Sequence, residues 1–252
     1  MIHPEIKSLY KYKPINQFTL DIIANDRIFY PLPGSFNDPF DTKCSFKNKS
    51  ALTQTADEKK IAQAFPDENP SDITVFTRTD LTQEIDVFKN RLNNFGILSL
   101  TGNAKNILMW SHYADSHRGV CLIFDTSDDT NIFGQAIKVQ YQHEYPVINI
   151  MDLNNHNNTI NMISVKSIDW GYEKEWRIIR GISVGGDGYF DIEPKSLTGI
   201  ILGSHITEKD EKRVMGWTSK YPTSLNVFTS KIDSRQYKVN IVPNEGTVVK
   251  VK

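Results

Sequence analysis

The pattern of apolar and polar positions predicts many short strands and fewer helices. Apolar or aromatic stretches predict strands at LYKY (9–12), RIFYP (27–31), ILSLT (97–101) and GVCLIFD (119–125). After residue 130, the same signal occurs in AIKVQYQ, WRIIRGI, YFDIE, TGIILG, VFTSKID and YKVNIV. Because few of these later connections are long enough for a helical crossover, we expect mostly antiparallel pairing.

Helical spacing is found in four stretches between these strands. Asn16 is placed to cap a short helix that ends near Ala24. TQEIDVFKNRLNNFG predicts a helix that Gly96 would stop, and NILMWSHYADSHRG predicts one that Asn103 would cap and Gly119 would end. ITEKDEKRVMGWTSKY predicts a helix between two strands, whereas the polar DLNNHNNT (152–159) predicts a loop.

Length and composition favour one globular domain. The 252 residues are enough to bury a substantial core, and 39% hydrophobic with 23% charged residues is ordinary for such a protein. The predicted fold is α+β, with mostly antiparallel sheets and helices packed on them. We expect a single domain, 1–252, that carries a polar or helical insertion around 47–95.

Charge and cysteine content exclude several classes of function. A net charge of −1 gives no bulk attraction to nucleic acid or membrane, although a local basic groove is compatible with it. Cys44 and Cys121 have neither zinc-site nor disulfide-framework spacing, and Cys121 lies in an apolar run typical of a buried thiol. With no signal-peptide pattern and no membrane-spanning apolar run, the cytoplasm is the expected location.

The stretch YEKEWRII (172–179) is the first candidate for chemistry. On a strand, Glu173, Glu175 and Arg177 would share one face. Two neighbouring carboxylates can hold a sugar hydroxyl and stabilise an oxocarbenium-like centre, as glycosyl transfer requires. The alternative is a solvated strand face on which Arg177 pairs with the acids, and the strand pattern alone favours this alternative.

Two further clusters have both a structural and a functional interpretation. In WSHYADSHRG, Trp110 and Tyr113 share a helix face, which suits either core packing or stacking on a planar ligand. His112 and His117 are five residues apart, so they do not form a zinc pair on one helix face. In SFNDPFD, Asn37 and Asp38 favour a fixed turn, with binding of a ribose or an amide as the alternative.

These clusters occur in an order that resembles a known bacterial family. LYKYK, SFNDPFD, ILSLTGNAKNILMWSHYADSHRGVCLIFD, KSIDWGYEKEWRII and LTGIILG together resemble the domain-of-unknown-function family numbered 2971. The resemblance extends over nearly the whole chain apart from the segment near 50–80. The family name implies no established activity.

The layout also resembles ADP-ribosyltransferase-like domains with a split sheet. The resemblance places Lys11 and Tyr12 on the first strand, Ser99 and Thr101 at the end of a middle strand, and a catalytic Glu175 on a later strand. It implies that Glu175 would contact the ribose of NAD and that Glu173 would orient the acceptor. The chain departs from the pattern because it has neither His nor Arg on the first strand. Lys11 or Lys13 would have to take the role of that residue.

Three functions follow as hypotheses. The first is an enzyme that transfers ADP-ribose from NAD to a protein or nucleic-acid acceptor, or cleaves NAD, in phage defence or a toxin system. The second is a non-catalytic sensor or effector module that binds a nucleotide-like small molecule. The third is a metal-dependent nuclease or hydrolase built from Asp38, His112, Glu173 and Glu175.

For the preferred enzyme hypothesis we expect NAD as substrate, no metal and no membrane partner. Its predicted catalytic residues are Glu175 and Glu173. Its predicted NAD-binding residues are Lys11, Tyr12, Asn37, Asp38, Ser99, Trp110, His112, Tyr113 and Arg177.

Overall fold

A computed structural model describes residues 6–47, 78–128, 130–149, 153 and 156–244. Most of the insertion predicted at 47–95 lies outside these residues. The five helices of the described part are α1 Gln17–Ala24, α2 Arg78–Leu92, α3 Ile107–Tyr113, α4 His156–Ile163 and α5 Glu208–Thr218.

Fourteen strands are found in the same described ranges. They are β1 Ser8–Lys13, β2 Arg27–Tyr30, β3 Ser45–Lys47, β4 Gly96–Thr101, β5 Val120–Asp125, β6 Ile137–Lys138, β7 Gln140–Gln142, β8 Val147–Asn149, β9 Val165–Ser167, β10 Glu175–Arg180, β11 Gly188–Asp191, β12 Leu197–Leu202, β13 Asn226–Ile232 and β14 Val239–Pro243. Every strand predicted from the sequence is present, although AIKVQYQ forms two short strands, β6 and β7.

One eight-stranded sheet organises the fold in the order β14-β13-β12-β5-β1-β4-β10-β6. Its pairs are antiparallel except β12 with β13, which are parallel because α5 provides a crossover between them. The small pairs β3-β8 and β7-β9 are also parallel, so the expectation of antiparallel pairing after residue 130 holds for most strands but not all. The helices and this mostly antiparallel sheet confirm the α+β class.

The sheet opens between β1 and β4. β1 pairs with β5 along all six of its residues, from Ser8 to Lys13. Its pairing with β4, in contrast, is confined to Tyr10 opposite Thr101. The Lys11 side chain occupies part of the opening, and its amine donates a hydrogen bond of 2.7 Å to the Ser99 carbonyl. The opening is the structural basis of the site described below.

Successive side chains of β5 point to opposite faces of the sheet and pack into the core on both faces. Leu122 and Phe124 enter one buried cluster, whereas Cys121 enters another with Tyr12 and Trp110. Burial raises the pKa of the Cys121 thiol well above its usual value, which agrees with the expected buried, unreactive cysteine. Apolar packing therefore holds β5 and β1 rigidly beside the opening.

Helix α3 is shorter than the sequence pattern predicts. Its cap is Asn106 rather than Asn103, and it ends at Tyr113 rather than near Gly119. Asp115, Ser116 and His117 all have positive φ angles, so the chain leaves the right-handed helical region directly after the helix. The corrected boundary leaves Tyr113 at the helix C-terminus, next to the opening.

Two other helix predictions also need correction. α2 ends at Leu92, and Gly96 begins β4 instead of stopping the helix. Part of the segment predicted to be a loop at 152–159 belongs to α4, which begins at 156. Met162 and Ile163 of α4 are buried against Phe88 of α2, so tertiary packing outweighs the weak helical preference of an asparagine-rich stretch.

Replacing Asn106 with Ala is expected to lower the free energy of unfolding by about 1–2 kcal/mol. The Asn106 side chain accepts hydrogen bonds from the backbone N–H groups of Leu108 and Met109, and it also donates one to the Tyr172 carbonyl. Urea unfolding measures the loss. Asn94→Ala, which removes an exposed amide, is the matched control; equal losses in both variants would contradict the assigned cap.

Candidate functional site

A cavity of about 150 Å³ lies in the opening between β1 and β4. Its wall combines aromatic rings with acidic, amide and amine groups, drawn from the two strands, α3, the loop after β2, β9 and the start of β10. The lining residues are Tyr10, Lys11, Tyr12, Phe36, Asn37, Asp41, Ser99, Leu100, Thr101, Met109, Tyr113, Lys166, Glu173 and Glu175.

Lys166 of β9 binds the acidic side of this cavity. Its amine lies 2.6 Å from Glu173 Oε2, 3.0 Å from Glu175 Oε2 and 3.7 Å from Asp41 Oδ2. It also lies 4.9 Å from the centre of the Trp170 ring, in a cation–π contact. One lysine therefore holds three carboxylates together, although they come from separate parts of the chain.

Arg177 of β10 binds two of these carboxylates, those of Asp41 and Glu175, from the protein interior. Two guanidinium nitrogens donate to the two oxygens of Asp41 at 2.9 and 2.6 Å, in the bidentate arrangement that Arg favours. The guanidinium also donates to Glu175 at 2.8 and 3.1 Å and to the Ile163 carbonyl at 2.6 Å. Arg177 is fully buried and does not line the cavity, so it acts on Glu175 from the protein interior.

The charges of this cluster keep Glu175 ionised. Burial by itself would raise the pKa of the carboxyl, but Arg177 and then Lys166 outweigh it and lower the pKa to about 2. The same contacts raise the pKa values of Lys166 and Arg177 despite burial. With Asp41, Glu173 and Glu175 ionised, the five groups sum to a net charge of −1.

The local chain path places both glutamates at the site. A short 3-10 helix, Ile168–Glu173, is followed by Lys174 in the left-handed region with φ of 46°, and β10 begins at Glu175. Glu173 is therefore not on the strand, contrary to the assumption of a continuous strand. Glu173, Glu175 and Arg177 are only 4%, 3% and 0% exposed, so the hypothesis of a solvated strand face is wrong.

Tyr113 connects α3 to this acidic group. Its hydroxyl donates a hydrogen bond of 2.6 Å to Glu173 Oε1 and accepts one of 3.2 Å from the Asn37 amide. Burial and then Glu173 raise the pKa of the Tyr113 hydroxyl, so the hydroxyl keeps its proton at neutral pH. The Thr101 hydroxyl donates to the Glu173 backbone carbonyl at 2.5 Å and fixes the start of the loop.

Lys11 contributes an amine from β1. Burial, assisted by Lys13, lowers its pKa to about 7, and Glu175 partly opposes the shift. The only hydrogen bond described for the amine goes to the Ser99 carbonyl. The cavity thus brings together an amine of unusually low pKa and three carboxylates.

Eight residues singled out from the sequence line the cavity. They are Lys11, Tyr12, Asn37, Ser99, Thr101, Tyr113, Glu173 and Glu175. Tyr12 contributes mainly its ring, because its hydroxyl already donates to the Asn103 carbonyl at 2.9 Å. Residues far apart in the chain therefore converge at the opening.

Four other candidates do not line it. The Asp38 carboxylate accepts a hydrogen bond of 2.9 Å from the Phe40 backbone, which supports the structural-turn interpretation. Trp110 is fully buried, with its indole N–H donating to the Ala104 carbonyl, which supports the core interpretation. His112 is exposed, and Arg177 lies behind Glu175.

Sequence reasoning missed Asp41 and Lys166. Asp41 is the last residue of SFNDPFD, so the motif itself pointed to this region. The residues predicted from it, however, were Asn37 and Asp38. Lys166 begins the stretch KSIDWGYEKEWRII, but nothing local in that stretch predicts its role. Only its position on β9 brings it to the carboxylates.

The described residues contain neither a metal-binding cluster nor a membrane-spanning helix. Among them, no group of three or more His, Cys, Asp or Glu side chains is placed to hold a metal ion. Within the same part of the chain, no helix has both the length and the apolar character to cross a membrane. The hydrolase hypothesis and the cytoplasmic location stay predictions.

Comparison with known proteins gives one match. No curated protein and no solved structure matches the chain. Residues 109–178 match the model of a family described as "Protein of unknown function (DUF2971)". The matched segment includes Tyr113, Lys166, Glu173 and Glu175, whereas FNDPFD and LTGIILG lie outside it. Over this segment the chain is similar to the DUF2971 family, in agreement with the resemblance noted in the sequence.

Proposed function

We propose that the cavity is the active site of a glycosyl-transfer enzyme that uses NAD as its substrate. The observation that carries the proposal is the Glu175 carboxylate, held by Arg177 and Lys166, on the wall of the cavity at the opening of the sheet. Cleavage of a ribosyl bond develops positive charge at the anomeric carbon, and a fixed carboxylate stabilises such charge. Because the charge is fixed before reaction, little reorganisation is needed.

In this proposal the two glutamates have different tasks. Glu175 faces the ribose and stabilises the oxocarbenium-like centre, and Arg177 and Lys166 keep it ionised. Glu173 orients the acceptor, with its carboxylate held by Tyr113. Lys11 takes the place on the first strand where ADP-ribosyltransferase-like domains have His or Arg.

The size of the cavity limits what it can hold. At about 150 Å³ it is smaller than the roughly 300–1,000 Å³ of sites that enclose a drug-sized ligand. Such a volume suits a single ring or sugar rather than a whole dinucleotide. We therefore propose that the ribose attached to nicotinamide enters the cavity and that the rest of the dinucleotide lies along the surface.

Nicotinamide release from NAD tests the proposal. Protein with NAD and cell extract is expected to release nicotinamide, and Glu175→Gln is expected to reduce the rate by about 10²–10³-fold, the usual cost of losing one group that stabilises transition-state charge. Glu84→Gln, an exposed acid on α2, is the matched control. If no extract supports NAD consumption and calorimetry detects no NAD binding, the proposal fails.

A non-catalytic binding module is the second candidate. The specific observation in its favour is that Lys166 and Arg177 already satisfy Glu175, which reduces the charge available to a reacting centre. Under this alternative, calorimetry detects NAD binding, whereas the release assay detects no nicotinamide over hours. A macromolecular acceptor, and a role in phage defence or a toxin system, remain parts of the enzyme hypothesis.

A further inference from the structure

Lys11 differs from the other charged residues of the cavity wall. Among the described residues, Asp41, Lys166, Glu173 and Glu175 are all joined in salt bridges. Within the same ranges, no salt bridge is found for Lys11, whose amine donates only to the Ser99 carbonyl. The Ser99 carbonyl can accept a hydrogen bond from a neutral amine as well as from an ammonium, and Glu175 favours the charged form without forming a salt bridge to it.

We propose that Lys11 is a nucleophilic amine that condenses with the carbonyl carbon of a small hydroxyaldehyde, such as an open-chain sugar, bound in the cavity. The proposal goes beyond glycosyl transfer, because it requires neither NAD nor a ribosyl cation. Enclosed lysines without an anionic partner are the usual sources of amine nucleophiles. The carboxylates and the Tyr113 hydroxyl provide partners for the substrate hydroxyls.

The chemistry balances without any redox partner. The nitrogen lone pair of Lys11 bonds to the carbonyl carbon, and the carbonyl oxygen takes up a proton. The hydroxyl then leaves as water and takes the remaining proton of the nitrogen with it, which leaves an imine. One amine and one aldehyde thus give one imine and one water. When the imine is protonated, its positive charge is attracted by Glu175, which already acts on the Lys11 ammonium.

The charges around Lys11 determine its pH dependence. Lys13 on the same strand disfavours the ammonium, and Glu175 on β10 favours it, while burial sets the direction of the shift. The other charged groups of the wall are Asp41, Lys166 and Glu173. With a pKa of about 7, about half of the Lys11 amine is neutral at pH 7, whereas an exposed lysine with a pKa near 10.4 is almost fully protonated.

Reductive trapping with glyceraldehyde tests the inference. The full chain is incubated with glyceraldehyde and cyanoborohydride at pH 7, without NAD, and the modified peptides are quantified by mass spectrometry. Lys11 is expected to react at least about ten-fold faster than the exposed Lys105 and Lys138. Its reaction rate is expected to rise with pH to a plateau, with a midpoint near pH 7.

Two variants give the controls. Lys11→Arg keeps a positive charge and is expected to lose the adduct, and Lys105→Arg is expected to keep the adduct at Lys11. Labelling of Lys11 no faster than Lys105 and Lys138 at pH 7 would overturn the inference. The trapping reaction contains no NAD, so formation of the Lys11 adduct is measured independently of NAD turnover. A Lys11 adduct in a protein that never consumes NAD refutes only the glycosyl-transfer proposal.

Discussion

Replacing Arg177 with Met is expected to lower the free energy of unfolding by about 3–5 kcal/mol, the range found when one partner of a buried ion pair is removed. The side chain is fully buried and donates to Asp41, Glu175 and the Ile163 carbonyl. Its loss leaves three carboxylates with Lys166 as the only remaining cation of the cluster. The net charge of the cluster falls from −1 to −2 in a region from which water is excluded.

Urea unfolding of matched variants tests this cost. Arg118→Met removes an exposed arginine that pairs with Asp115 and is expected to change stability little. Adding Glu175→Gln to Arg177→Met is expected to restore part of the loss, because the double variant no longer buries a Glu175 carboxylate that has lost its Arg177 partner. A single-variant loss as small as that of Arg118→Met would mean that the guanidinium is not part of the buried network.

Local patterns predicted most of the fold. The Asn16 cap of α1 is confirmed, with Thr19 donating its backbone N–H to the side chain, and the buried run of β5 is confirmed by its full pairing with β1. The cap and the apolar run both depend on residues that are close together in the chain, so their patterns can be recognised in the sequence. α4 was missed because its helical state depends on the burial of Met162 and Ile163 against residues far away in the chain.

The site was predicted only in part, for a related reason. Glu173 and Glu175 stand out because their charges are adjacent in the chain, and Tyr113 was found through its helical spacing with Trp110. The ion pairs that define the site join residues far apart: Asp41 and Arg177 are 136 positions apart. No periodic pattern in the sequence predicts a contact over such a separation. The opening between β1 and β4 is likewise a property of the assembled sheet.

Acidification is expected to remove about 3 kcal/mol of stability through Glu175 alone. Its pKa is lowered from the usual 4.5 to about 2 in the folded protein, so the folded state favours the ionised form. The contribution is therefore complete above pH 4.5 and is lost as the pH falls towards 2. By pH 3, about 2 kcal/mol of it should be lost.

Urea unfolding between pH 6 and pH 3 measures this effect when wild-type protein is compared with Glu175→Gln. The variant is less stable at pH 6, because Lys166 and Arg177 each lose an ionic partner. Its free energy of unfolding, however, should fall less on acidification, since the substituted amide side chain cannot titrate, and the two curves should converge. Curves that run parallel would mean that Glu175 is not held ionised by the fold. The cavity would then lack the fixed negative charge that glycosyl transfer requires, whereas the amine chemistry proposed for Lys11 would stand.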